Sequence, residues 1–269
     1  MACRVDRAAD LGPELQPRLF AREPIPAAVF ELVKRGALFV VNHSGGKDSQ
    51  AMLIVLRAIV PHRQLLIVHA EMAEVEWEGT LEHVHRYAYG IPVVVARAVR
   101  TFWQMVEARG MFPSPKQRQC TSDLKRGPIE REIRRYLADH PEFNGLVVNC
   151  MGLRSRESSN RAKASPLKLS SRNSVAGREW YDYLPIHDFT TAEVFEEIAL
   201  SQQQPHWVYR AGMTRKSCVV CIMSSEQDLR TAARLNPAVV RRYAQAERRL
   251  NFTLSMSGRP LSEITGLAA

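Results

Sequence analysis

The segment Ser44-Gly45-Gly46-Lys47-Asp48-Ser49 limits the fold more than any other stretch, because of what flanks it. Before it, Leu38-Phe39-Val40-Val41-Asn42-His43 is a nearly unbroken apolar run, the pattern of a strand covered on both faces. After it, residues 50–59 have helical spacing. A glycine pair between a buried strand and a helix lets an anion approach the main chain where a Cβ would stand in the way. The uncapped N–H groups and the dipole of the helix start then face that anion. Lys47 supplies a point charge, and Ser44 and Ser49 supply hydroxyl donors. Asp48 would repel phosphate directly, so its expected role is to cap the helix or to hold Mg²⁺. The spacing is not the Walker pattern, which needs four residues between its first glycine and its Gly-Lys.

The same strand signature recurs at residues 64–69, 91–95 and 145–150, separated by helical patterns at 78–89, 102–109 and 128–137. A further helix is predicted over 26–34. Strand–helix alternation of this kind predicts βαβ units and an α/β fold with a Rossmann-like parallel sheet. Residues 151–178 carry seven Lys or Arg and one acid with no period, and read as a basic loop. Beyond them Thr190-Thr191-Ala192-Glu193 reads as a capping box. Helices follow over 224–235 and over 237–250, the latter with Asn236 as N-cap and Pro237 at N1. The expected organisation is a loose leader at 1–25, a nucleotide-binding α/β domain at 26–188, and a mostly helical lobe at 189–269.

Charge and apolar content exclude some classes. The net charge of +9 favours phosphate-bearing partners, nucleotide or nucleic acid. No apolar run approaches a bilayer span, since the best one, residues 51–56, ends at Arg57. The N-terminal segment mixes Arg4, Asp6, Arg7, Asp10 and Glu14 and has no apolar signal core, which argues for a cytoplasmic protein. Five cysteines in such a chain suggest free thiols, a metal site or redox chemistry. In Cys218-Val219-Val220-Cys221 two thiolates are spaced for one metal centre, and Cys120 can complete a third corner. An iron–sulfur cluster, zinc, a redox dithiol and inert buried thiols all remain open. Arg215 and Lys216 beside the pair are expected to lower its pKa values.

The loop matches the PP-loop of the ATP pyrophosphatase superfamily, written Ser-Gly-Gly-x-Asp-Ser. Three further blocks resemble, in order, those of phosphoadenylylsulfate (PAPS) reductase-like proteins. They are Arg118-Gln119-Cys120-Thr121 with Leu124-Lys125, then Gly152-Leu153-Arg154-Ser155-Arg156-Glu157-Ser158 with Arg161, then Pro185-Ile186-His187-Asp188. The resemblance covers about residues 35–225 and implies ATP, adenylylsulfate or PAPS as ligand. It implies nucleotide contacts from Ser44, Gly45, Gly46, Lys47, Asp48, Ser49, Gly152 and Arg161, and chemistry carried by Lys47, Asp48, Arg154 and Arg156. Iron–sulfur members, including adenylylsulfate reductases and DNA phosphorothioation proteins, place cysteines near the Cys120 position and as a later pair. This implies a [4Fe-4S] or zinc site at Cys120, Cys218 and Cys221, with Cys150 or Cys3 as fourth ligand or with an open iron. Sulfonucleotide reductases carry a catalytic cysteine in a short C-terminal motif, and the 48 residues 222–269 hold none.

Three functions follow. The first is ATP cleavage to AMP and pyrophosphate, adenylating an acceptor that then takes sulfur from a donor protein; nucleic acid is one such acceptor. The second is reduction of PAPS or adenylylsulfate, and the third a non-catalytic nucleotide-binding subunit of a nucleic-acid modification complex. Among the remaining residues, His83 and His85 diverge on a helix and are not expected to share a metal. His43 and His69 stand at strand ends beside the expected pocket. Trp207 and Tyr209 read as packing residues rather than stacking platforms.

Overall fold

The structure, a computed structural model, describes residues 25–268; the expected leader, with Cys3, lies outside them. Six strands form one sheet in the order β3-β2-β1-β4-β6-β5. They are β1 Leu38–Asn42, β2 Leu65–Ala70, β3 Val93–Ala96, β4 Leu146–Cys150, β5 Leu167–Leu169 and β6 Glu179–Tyr183. All pairings are parallel except that of edge strand β5 with β6. In the centre Val40 lies between Leu66 and Asn149, and every residue of β4 is buried. This is the Rossmann-like PP-loop architecture, with helices following the sheet.

The helices are α1 Ala27–Lys34, α2 Lys47–Ile59, α3 Thr80–Arg86, α4 Phe102–Arg109 and α5 Gly127–Asp139. After the sheet come α6 Thr191–Leu200, α7 Trp207–Arg210, α8 Glu226–Leu235, α9 Pro237–Leu250 and α10 Leu261–Thr265. The boundary chemistry is legible: Thr190 and Glu193 form the capping box of α6, and the Asn236 side chain caps α9 ahead of Pro237.

One face of the sheet packs against α1, α2 and α6 through Val29, Leu53, Leu56, Val194 and Ile198. The other packs against α5 through Ile133 and Leu137, with Trp180 from β6. A third cluster joins Trp103, Phe112 and Tyr243 to Val208, Val219, Val220 and Leu229, so the C-terminal helices rest on residues that follow β2 and β3.

Three elements differ from the sequence reading. The basic stretch 151–178 is not one loop: it contains β5 and leads into β6, where Glu179 and Asp182 obscure the strand pattern. Tertiary partners supply what β6 lacks in hydrophobicity, since Asp182 accepts from Asn149 Nδ2 (3.0 Å) and Glu179 pairs with Arg35. Helix α3 is shorter than 78–89, because Gly79 precedes it in a left-handed conformation and Tyr87 ends it. Helix α10 carried too few turns for a period to be visible.

Candidate active site

The C-terminal ends of β1, β2 and β4 meet at the Ser44–Ser49 loop, the edge at which α/β sheets hold ligands. Gly45 has φ +74°, and a Cβ there would stand 2.8 Å from Thr80 Cγ2, so this position requires glycine twice over. Gly46 is the N-cap of α2. Ser49 Oγ accepts from Ser44 N–H (3.2 Å) and donates to the Gly46 carbonyl (2.9 Å), folding the loop back on its helix. Gly45 N–H donates to His43 Nδ1 (3.1 Å), and Lys47 N–H to the Tyr209 hydroxyl (3.1 Å). His43 is fully buried; burial, reinforced by His83, His69 and Lys216, pushes its pKa down to about 3, so it acts as a neutral acceptor. Gly152 presses on the same helix start, where a Cβ would lie 3.1 Å from the Asp48 carbonyl carbon and oxygen.

Asp48 is the hinge of the charged groups. Its Oδ2 lies 2.6 Å from Lys47 Nζ and its Oδ1 2.7 Å from Arg154 Nε. The expectation that Asp48 caps α2 is corrected, since the helix start has no side-chain cap and the carboxylate is engaged by the two cations. Arg154 is buried and also donates to the Phe189 carbonyl (3.2 Å), so it is fixed rather than free to clamp a ligand. Arg156 is exposed, and Arg161 pairs with Glu157. Beside them lies a cavity of about 540 Å³ whose lining includes Arg118, Arg154, Arg156, Arg161 and Arg215, with Glu157 the sole carboxylate. A fork of guanidinium groups suits phosphate or sulfate oxygens.

Three residues that the sequence did not assign to the loop complete it. Lys216 donates from Nζ to the Ser44 carbonyl and lies 3.4 Å from Glu76 Oε1, with its side chain only 3% exposed. Burial, with Lys125 nearby, lowers its pKa to about 8 against the pull of Glu76. Tyr209 accepts from both Lys47 N–H and Lys216 N–H (3.4 Å), tying the helix start to the chain that leads into Cys218. Glu76 also meets His69 Nε2 (3.2 Å), and His69 Nδ1 reaches the His43 carbonyl (2.8 Å). Burial alone would raise Glu76, but the His69 hydrogen bond and the Lys216 charge outweigh it and bring the pKa down to about 2. The only sequence signal for Lys216 was its place two residues before Cys218; for Glu76 there was none. Trp207 packs edge-on against Trp77 and donates to the Glu78 carbonyl (3.0 Å). His83 Nε2 lies 3.2 Å from Gln50 Oε1.

Cys120, Cys218 and Cys221 do come together, packed against the third hydrophobic cluster. They surround an ammonium: Lys125 Nζ stands 3.9 Å from Cys218 Sγ, and Cys218, then Cys221 and Cys120, hold the Lys125 pKa above its usual value. Among the described residues, no three His, Cys, Asp or Glu side chains are placed to share a metal ion. The three cysteines expected to hold an iron–sulfur or zinc centre are thus neighbours without forming such a group among the described residues. The expectation of thiols acidified by Arg215 and Lys216 is also corrected. Arg215 lines the arginine cavity, Lys216 turns to the loop, and burial pushes the Cys120 and Cys218 thiols up. Cys150 is a core residue, fully buried in β4.

Residues 39–224 match the phosphoadenosine phosphosulfate reductase domain family, and the chain belongs to that family. An uncharacterized 37.8 kDa protein of Escherichia phage 186 is 29% identical over 140 residues, which is 52% of this chain and 40% of that protein. The chain thus spans less than half the length of that relative. Among solved structures, Candida auris phosphoadenylyl-sulfate reductase in its phosphate complex is 12% identical, covering 78% of this chain and 89% of that one (TM-score 0.43). Candida glabrata FMN adenylyltransferase is 14% identical, covering 69% and 53% (TM-score 0.43).

Proposed function

We propose that the chain is an ATP-dependent adenylating enzyme: an acceptor oxygen attacks the α-phosphorus, the bond to the β-phosphate breaks, and pyrophosphate leaves with the electron pair. A sulfur nucleophile from a donor protein then displaces AMP from the activated acceptor. The observation that carries this reading is the meeting of the Ser44–Ser49 loop with the arginine cavity through the Lys47–Asp48–Arg154 chain of ion pairs. The loop would hold the pyrophosphate end of the nucleotide, while Arg156, Arg161 and Arg215 stabilise charge on the departing group. Mg²⁺ would enter as part of the nucleotide, held by its phosphates, because both Asp48 oxygens are already paired.

The thiols around Lys125 favour a second reading, reduction of a sulfonucleotide, in which one of them attacks sulfur. One anaerobic preparation separates the two. The adenylation reading expects Mg²⁺-dependent exchange of labelled pyrophosphate into ATP once an acceptor is present, and no sulfite from PAPS or adenylylsulfate. Catalytic sulfite release with a thiol donor would overturn it in favour of the reductase. ATP binding with neither exchange nor sulfite, across oligonucleotide acceptors, would leave a non-catalytic nucleotide-binding subunit.

A further inference from the structure

The arginine cavity does not end at its own wall. Pro115 and Arg118 are shared with a second trough of about 570 Å³, lined also by Lys116, Gln119, Thr121 and Arg126. No carboxylate lines this trough. Lys116, Arg118 and Arg126 are exposed and make no ion pair with any described residue, and the same holds for Arg156 and Arg215 in the adjoining cavity. Arg35, Arg97, Arg135, Arg230 and Arg249 elsewhere on the surface each hold a carboxylate. Arg63, Arg86, Arg100, Arg210 and Arg241 are exposed without one among the described residues, but none of those lines either cavity. Five cations without an ion pair among the described residues therefore line two adjoining cavities, the first of which is also lined by Arg154, the partner of Asp48 in the loop. Keeping like charges together without counter-charges costs free energy through self-repulsion, and a bound polyanion removes that cost.

We propose that the trough formed by residues 115–126 binds the phosphodiester backbone of a single-stranded nucleic acid and delivers its reactive unit to the arginine cavity. The inference rests on the adenylation reading above and names the class of its acceptor. The dimensions favour one strand, since each cavity, at about 540 and 570 Å³, is of mononucleotide size and the two share Pro115 and Arg118. Neither cavity is lined by an aromatic side chain on which a base could stack, so contact is with phosphate and sugar and is tolerant of sequence. Gln119, Thr121 and Ser122 supply neutral donors beside the cations. Cys120 lies in the same turn, which brings the thiol cluster next to a strand held in the trough.

The test uses the full chain and a fluorescent oligothymidylate of about twelve nucleotides, long enough to span both cavities. Anisotropy titrations are run over a range of salt, with wild type and with the pair Lys116→Gln and Arg126→Gln, which line the trough and not the cavity. Removing two phosphate contacts should flatten the slope of log affinity against log salt by about 1.4 and weaken binding several-fold at low salt. ATP affinity, measured by calorimetry, should not change. Oligonucleotide binding that is absent while ATP binds, or is identical in the double variant, overturns the inference and leaves the nucleotide reading standing. Equal competition by polyglutamate assigns the trough to an acidic protein and also overturns it. Absence of both ATP and oligonucleotide binding overturns the inference together with the reading beneath it.

Discussion

Lys216→Met isolates the contact that holds the phosphate loop to the thiol-bearing turn. The ammonium is buried, bonds to the Ser44 carbonyl and lies 3.4 Å from a Glu76 whose side chain is 16% exposed. Removing one partner of such a pair leaves the other charge buried, which costs about 3–5 kcal/mol. Glu76 keeps His69 at 3.2 Å and Met72 N–H at 3.4 Å, so the loss should fall near the lower end, about 3 kcal/mol. Methionine fills most of the lysine volume, so little of this is packing. Adding Glu76→Gln removes the stranded charge and should recover a large share, bringing the double variant to within about 1 kcal/mol of wild type. Urea unfolding of wild type, both single variants and the double variant measures the cycle. A Lys216→Met loss below about 1 kcal/mol, or strictly additive single changes, would refute the buried pair as the element that fixes this turn.

Four other outcomes follow from the same structure. Lys47→Ala should weaken ATP binding about 10- to 100-fold in calorimetry by removing a charge-assisted phosphate contact, and unchanged affinity would remove the loop from the binding site. Gly152→Ala should also weaken ATP binding, because the new methyl meets the Asp48 main chain at 3.1 Å; unaltered binding and melting would show that the contact gives way. Glu76, with a folded pKa of about 2, contributes stability that is fully present above its unfolded value and is lost as pH falls toward 2. Acid titration of unfolding should show up to about 3 kcal/mol lost across that window in wild type and a flatter profile in Glu76→Gln. Cys150, fully buried with its thiol pushed well above the usual range, should resist alkylation until the chain unfolds, whereas labelling at the rate of Cys221 would contradict its place in the core.

The amino-acid sequence by itself determined the parallel sheet, the loop and most helix starts. These are decided by signals a few residues apart: apolar runs in β1, β2 and β4, the glycine pair at 45–46, the Thr190–Glu193 box and Asn236-Pro237. The sequence also placed Arg154, Arg156 and Arg161 near the strand end that carries them. Only the tertiary structure decided their separate states, because an arginine's freedom depends on which carboxylate it meets. Arg154 found Asp48, 106 residues away, Arg161 found its neighbour Glu157, and Arg156 found none among the described residues. The same holds for Lys216, Glu76 and Tyr209, which converge on the loop from distant segments, and for β6, whose charged residues find Asn149 and Arg35 on distant segments beside their strand neighbours Trp180 and Tyr181. It holds most plainly for the cysteines. Their spacing announced a shared site, but the fold placed the half-buried Lys125 ammonium beside them, and a long-range contact of that kind leaves no local pattern to read.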